Sequence, residues 1–208
     1  MNIAVFASGR GSNVQAILKA IQDGRLPASV CLLISNNSSA GALEIARTAG
    51  IPALHRSLRQ FPTQESFDDD LLATLENHHV NLIALAGYMK KLSPGIISRY
   101  RNRIVNIHPA LLPAFGGPGM YGIHVHEAVL RSGAKISGVT VHVVDEEYDH
   151  GLIVAQETVR VDPADTPESL AAKVLRLEHD LYPRVLAAFA EDRVRIEGAT
   201  AWILPTHS

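Results

Sequence analysis

The sequence predicts an α/β fold: a Rossmann-like, mostly parallel sheet with helices on both faces and an antiparallel strand pair added in the C-terminal half. Three observations predict it. Over the first 108 residues the hydrophobic period switches repeatedly between strand-like and helix-like runs. The strand-like runs are continuously apolar, as strands buried on both faces are. Beyond residue 109 two alternating runs follow one another across a short turn, as antiparallel neighbours do.

The elements follow in order. Residues 2–7 form a β-rich run ending in Ser8-Gly-Arg-Gly-Ser-Asn13, after which Val14, Ile17, Leu18 and Ile21 keep helical spacing. Residues 30–35 make a second strand, and residues 40–49 a helix that stops at Gly50 with Pro52 beyond. A third strand is expected at 51–55, an amphipathic helix at 64–77, and a buried strand at 82–86. A short helix at 94–100 leads to a fifth strand at 103–108. Residues 114–122 are a loop with four glycines, followed by a helix at about 125–131. The alternating runs are 136–144 and 153–161, and a long helix spans 169–190. The tail around Trp202 reads as a short strand or cap.

Composition excludes several function classes. At 208 residues the chain suits a single domain, 1–208, with halves at 1–108 and 109–208. A chain of this length buries about 70% of its unfolded surface, so its core needs no staples. Nineteen Lys and Arg against 21 Asp and Glu leave a net charge of −2, without the basic surplus of nucleic-acid or anionic-membrane binders. One cysteine excludes an internal disulfide framework and any multi-cysteine zinc site. Residues 1–7 have no basic n-region and are too short for a signal h-region, and no apolar run reaches the roughly 18 residues that span a bilayer. A cytoplasmic protein is expected.

Ser8-Gly-Arg-Gly-Ser-Asn13 joins a strand to a helix, where backbone N–H groups can cradle an anion. A dinucleotide loop would carry a third glycine where Val14 stands, and an acidic residue where the second strand ends in Ser35-Asn36-Asn37. Without a Gly-Lys-Ser/Thr there is no triphosphate loop either, so a monophosphate suits it best; the other reading is a plain glycine turn.

Asn106 and His108 lie at the carboxyl end of a buried strand and, two apart, face the same side. An amide can donate to a developing oxyanion, and an imidazole can carry a proton near neutral pH. Asp149, in the turn Asp145-Glu-Glu-Tyr-Asp-His-Gly151, is the carboxylate candidate to hold that imidazole protonated. Taken singly, His108 also reads as a core histidine and Asp149 as a loop residue. His124 and His126 form a His-x-His that with His108 raises a metal reading, but no further ligand falls at a recognised spacing and no metal is expected. His142 is either exposed or aimed at the site, His78 and His79 cap helix carbonyls, and Cys31 is a small core residue.

The ordered landmarks resemble one family. Ser8-Gly-Arg-Gly-Ser-Asn13, Leu85-Ala-Gly-Tyr-Met89, Leu92-Ser-Pro94, Asn106-Ile-His-Pro-Ala-Leu-Leu-Pro113, Gly138-Val-Thr-Val-His142, Asp145-Glu-Glu-Tyr-Asp-His-Gly151 and Glu178-His179 with Tyr182-Pro183 are similar to those of the phosphoribosylglycinamide formyltransferases, or glycinamide ribonucleotide transformylases. The resemblance, to a family of folate-dependent formyltransferases, implies formyl transfer from 10-formyltetrahydrofolate, as co-substrate, to the amine of glycinamide ribonucleotide in purine synthesis. It implies that Asn106 binds the formyl oxygen, that His108 donates the proton, and that Asp149 raises the basicity of His108 and helps relay the proton through water. Gly11, Ser12 and Asn13 would hold the phosphate, and Glu178 the ribose or glycinamide end. Met89, Lys90, Lys91, Leu92, Asn106 and Val144 would line the folate slot, and the two lysines could meet a glutamate tail.

Gln64 departs from the basic residue that relatives often carry, and the 114–122 loop is longer than in some members. Relatives that formylate methionyl-tRNA carry a C-terminal extension, and formyltetrahydrofolate hydrolases an N-terminal regulatory domain, neither of which is expected here. A hydrolase using the same three residues and a phospho-ligand-binding module without chemistry are the competing readings. Partners are expected to be small molecules, with no nucleic acid or membrane, on a monomer or homodimer.

Overall fold

The structure is a computed structural model and describes residues 1–205. Its contacts divide the chain into two compact units that meet within one strand: Met1–Asn106, and a second from Ile107 onward.

The first unit runs β1 (Asn2–Phe6), α1 (Ser12–Gln22), β2 (Ser29–Ser35), α2 (Gly41–Thr48), β3 (Ala53–His55), α3 (Gln64–Asn77), β4 (Leu82–Leu85), α4 (Pro94–Arg99) and into β5 (Ile104–His108). Its strands pair in parallel in the order β3-β2-β1-β4-β5. The chain therefore builds outward on one side of β1, then returns and builds on the other. Parallel crossovers are right-handed, which puts α1 and α2 on one face and α3 and α4 on the opposite face. The reversal falls between β1 and β4, and such a switch point opens a crevice at the carboxyl ends of the strands.

The strands form because their residues are apolar on both faces: all four residues of β4, and Ile3 to Phe6 of β1, are buried. Each such large side chain contributes about 1.5–3 kcal/mol on leaving water. Thr63 starts α3 by accepting a hydrogen bond from Ser66 N–H, and Ser93 starts α4 by accepting from Ile96 N–H. His78 closes α3 as its sequence position suggested, with Nδ1 2.8 Å from the Thr74 carbonyl oxygen.

The second unit takes in the end of β5, α5 (Ile123–Ser132), β6 (Ile136–Val143), β7 (Ile153–Arg160), α6 (Pro167–Ala190), β8 (Val194–Glu197) and β9 (Thr200–Ile203). Strand order continues β5-β6-β7, with β7 antiparallel to β6 as expected, so the sheet has seven strands and is mostly parallel. Helix α6 packs on β6, β7 and α5. It begins at Pro167, two residues before the expected start, because Thr166 caps it and proline needs no hydrogen-bond acceptor at a first helical position.

Strands β8 and β9 form a separate antiparallel pair, of which only the second member was expected. Cys31 is only half-buried; its thiol lies 3.5 Å from the Ile3 carbonyl oxygen. Among the described residues, no helix is long and apolar enough to cross a membrane.

Candidate active site

In the first unit, the loop after β1 turns tightly into α1. Gly11 caps that helix at φ 87°, a left-handed conformation that favours glycine. It is also tightly packed, since a Cβ there would come within 2.8 Å of Ile45 Cδ1 and 2.9 Å of Ala42 Cα. Part of the reason for this glycine is therefore the approach of α2, which sequence alone does not reveal. Ser12 opens α1 and is half-buried, while Asn13 is buried. The adjoining Ser8 hydroxyl donates to Asn36 Oδ1 and accepts from Met89 N–H at 2.8 Å. Asn37 Nδ2 donates to the Ser8 carbonyl at 3.2 Å. Amides thus occupy the end of β2, where a dinucleotide fold would place its carboxylate. Of the segment after β4, Met89, Lys90 and Lys91 are exposed and Leu92 is buried. Gln64 sits in the first turn of α3, its amide donating to Asp68 Oδ1 at 2.7 Å.

Asn106 and His108 stand on β5 two residues apart and so share one side of the strand. Asn106 is half-buried and His108 is 3% exposed. In the second unit His108 meets Asp149: Nδ1 lies 3.5 Å from Asp149 Oδ1. The other ring nitrogen, Nε2, is 2.8 Å from the Phe115 carbonyl oxygen and must donate to it. Asp149 adopts φ 54°, and its Oδ2 accepts from Gly117 N–H at 2.9 Å. The 114–122 loop therefore reaches both members of the pair. It comes so close that a Cβ on Gly116 would lie 3.0 Å from Asp149 Cβ.

Burial dominates the electrostatics of His108 and pushes it below the ordinary imidazole value, while Asp149 and the Phe115 carbonyl oppose that shift. For Asp149, burial pulls upward, but the adjacent His142 ring, the charge of His108 and the Gly117 N–H together hold it below the usual carboxylate range. Asp149 thus favours the charged imidazole, yet it does not overcome desolvation.

Three features were not legible beforehand. His142 is 2% exposed, and its Nε2 lies 3.7 Å from the same Asp149 oxygen, which decides its orientation toward the site. His126 on α5 is buried too; burial and the neighbouring His108 hold it below its ordinary value. Thr140, on β6 two residues before His142, anchors the turn after His108. Its hydroxyl donates to the Ala110 carbonyl at 2.6 Å and accepts from Leu112 N–H at 3.0 Å. Gln156 Nε2 braces both Thr140 Oγ1 and the Leu112 carbonyl, at 2.9 Å each. The i, i+2 spacing of Gly138, Thr140 and His142 was the available signal. Val144, just beyond β6, and Glu178, on α6, are half-buried. Among the described residues, no group of three or more His, Cys, Asp or Glu could hold a metal ion.

The chain is similar to a set of named proteins. A formyl transferase family model matches residues 1–186. A phosphoribosylglycinamide formyltransferase of Arabidopsis thaliana, named as chloroplastic, is 46% identical over 93% of this chain, which spans just under two thirds (66%) of that relative. The Escherichia coli (strain K12) phosphoribosylglycinamide formyltransferase is 36% identical over 98% of this chain and 93% of its own length. The crystal structure of glycinamide ribonucleotide transformylase 1 from Symbiobacterium toebii superposes with a TM-score of 0.92 at 40% identity, covering 99% of this chain and 94% of that one.

Proposed function

We propose what this chain catalyses from one premise: it belongs to the formyl transferase family. The reaction is transfer of the formyl group of 10-formyltetrahydrofolate to the amine of phosphoribosylglycinamide, giving formylglycinamide ribonucleotide in purine biosynthesis. The observation that carries this reading is the buried His108, facing Asp149 at 3.5 Å, two residues from Asn106 on one strand.

The amine attacks the formyl carbon, and negative charge gathers on the formyl oxygen. The Asn106 amide donates to that oxygen; a single such donor is worth roughly 10²–10³ in rate. The bond from carbon to the folate nitrogen then breaks, and that nitrogen keeps the electron pair and takes a proton. His108 supplies the proton. Because Nε2 is committed to the Phe115 carbonyl, the proton leaves from Nδ1, on the side of Asp149. Burial makes the protonated ring a ready donor, and Asp149 keeps it attainable by stabilising the charged form. The 3.5 Å separation leaves the Nδ1 contact loose enough for a relaying water to share it.

Gly11, Ser12 and Asn13 bind the phosphate at the N-terminus of α1, and Glu178 takes the ribose or glycinamide end. The folate is held by Met89, Leu92, Asn106 and Val144, with the exposed Lys90 and Lys91 meeting its glutamate tail. Each substrate therefore draws on both halves of the chain: Glu178 of the second half joins the phosphate loop on the ribonucleotide, and Val144 joins Met89, Leu92 and Asn106 on the folate. The enzyme works in the cytoplasm as a monomer or homodimer, without a nucleic-acid or membrane partner.

An absorbance assay of 10-formyltetrahydrofolate tests the reaction. Deformylation that requires the ribonucleotide is expected. Deformylation without it would make the chain a hydrolase, and ribonucleotide binding without turnover would make it a binding module.

A further inference from the structure

His142 has no part in the mechanism above, yet the fold goes to some length to place it. The β6–β7 pairing runs Val141↔Ala155 and then His142↔Ile153, so β7 carries one extra residue, Val154, at this point. A bulge beside a site re-aims a side chain. Here the ring is engaged at both nitrogens: Nδ1 is 3.1 Å from the Val143 carbonyl oxygen, and Nε2 is 3.7 Å from Asp149 Oδ1. A carbonyl oxygen only accepts, so Nδ1 carries a hydrogen, and Nε2 is the atom that gains or loses a proton.

His108 repeats the arrangement with the two nitrogens exchanged. Its Nε2 donates to the Phe115 carbonyl, and its Nδ1 titrates, facing the same Asp149 Oδ1 at 3.5 Å. Asp149 Oδ2 is occupied by Gly117 N–H. One ring nitrogen of each histidine therefore faces the same carboxylate oxygen. With both rings neutral, two lone pairs would point at an anionic atom. One added proton on either ring turns that repulsion into an ion pair.

We infer that His142 is a second proton carrier of this site: His108 Nδ1, His142 Nε2 and Asp149 Oδ1 hold one proton in common, and His142 replaces the proton that His108 gives up. The inference rests on the reading of His108 as the proton donor. The balance closes within one turnover. The amine nitrogen forms its bond to the formyl carbon and loses a proton to the store. The bond from that carbon to the folate nitrogen breaks, and that nitrogen takes a proton from His108. No net proton is consumed. Among the described residues a further ionisable group near the cluster is His126 of α5; its Nδ1 has no hydrogen-bond partner among them, and the like charge of His108 helps hold it below its ordinary value.

The pH dependence of kcat in His142→Gln tests this, with ring-nitrogen NMR to separate a shared proton from a mere prop for Asp149. Losing one of two homes for the shared proton should shift the alkaline limb to lower pH, by about 0.3 unit if both rings hold it equally and further if His142 holds it more tightly. A reduced kcat with an unmoved limb would overturn the inference. Ring-nitrogen NMR of the wild-type protein tests it without relying on a variant that folds. His108 and His142 should titrate through the same two apparent steps, and in Asp149→Asn should separate into independent single steps. Unlinked single-step titrations in the wild type would equally overturn it. If His108→Ala turns over normally, the underlying reading fails; if it is inactive while the His142→Gln limb stays in place, only this inference fails.

Discussion

Replacing Thr140 by valine should show that one hydroxyl holds the turn behind His108 in place. Valine matches threonine in shape, so the packing of this fully buried residue is retained and only the hydroxyl is lost. That hydroxyl serves the Ala110 carbonyl at 2.6 Å and the Leu112 N–H at 3.0 Å, both on buried residues. Each backbone group left unpaired costs about 1–3 kcal/mol. The Gln156 amide loses one of its two acceptors but keeps the Leu112 carbonyl. A total of about 2–6 kcal/mol follows, which for a chain of this size lowers Tm by roughly 4–24 °C. The same turn leads to Phe115, whose carbonyl orients His108, so kcat should fall about tenfold as well. Thermal unfolding by calorimetry, with steady-state kinetics on the same preparation, is the assay. Thr140→Ser, which retains the hydroxyl, should recover most of both losses. A Thr140→Val melting point within about 2 °C of wild type would refute the reasoning.

Two further predictions concern the same unit. Gly116→Ala introduces a Cβ 2.6 Å from Leu112 Cδ2 and 3.0 Å from Asp149 Cβ. The leucine methyl can swing aside, but Asp149 must shift, so turnover should drop tenfold or more at a stability cost of about 1–3 kcal/mol; unchanged kcat would show that the placement of Asp149 is not critical. Stability should also fall on acidification. His108 and His126 sit below their ordinary value of 6.5 in the folded chain, so the unfolded chain binds more protons just below that pH, and stability is lost as pH drops through the window. Asp149, held below 3.8, adds its loss only at lower pH. The exposed His150 is raised by Asp145 and acts in the opposite sense, but solvent screens it. The urea midpoint should therefore decrease between about pH 7 and pH 5, and a flat or rising midpoint would contradict these directions.

The elements that were legible in the sequence are those where one local signal dominates. Helix α3 has the expected bounds because Thr63 and the apolar period mark it unambiguously. Strand β3 shrinks to three residues because Pro52 lacks the N–H a ladder requires. Strand β8 went unseen because its four residues are only alternately half-buried and take their partner from β9. At the site, Asn106, His108 and Asp149 were legible as chemistry-bearing types at a strand end and a turn. The orientation of His142 was not. Every residue of β6 after Ile136 is buried, so alternation could not separate an inward from an outward face, and the bulge opposite it leaves no mark in composition. Thr140 stood in a quoted landmark and Gln156 did not, but no role was legible for either because they serve backbone groups, and neutral polar residues in strands give no sign of which carbonyls they will meet.

The account depends most on His108 as the group that moves the proton. The direct test is turnover of His108→Ala with both substrates, alongside its circular dichroism and its affinity for the ribonucleotide. A native spectrum and retained ribonucleotide binding, with kcat lowered by roughly 10²–10⁴, is the predicted result. A folded variant that turns over within about tenfold of wild type would contradict the mechanism.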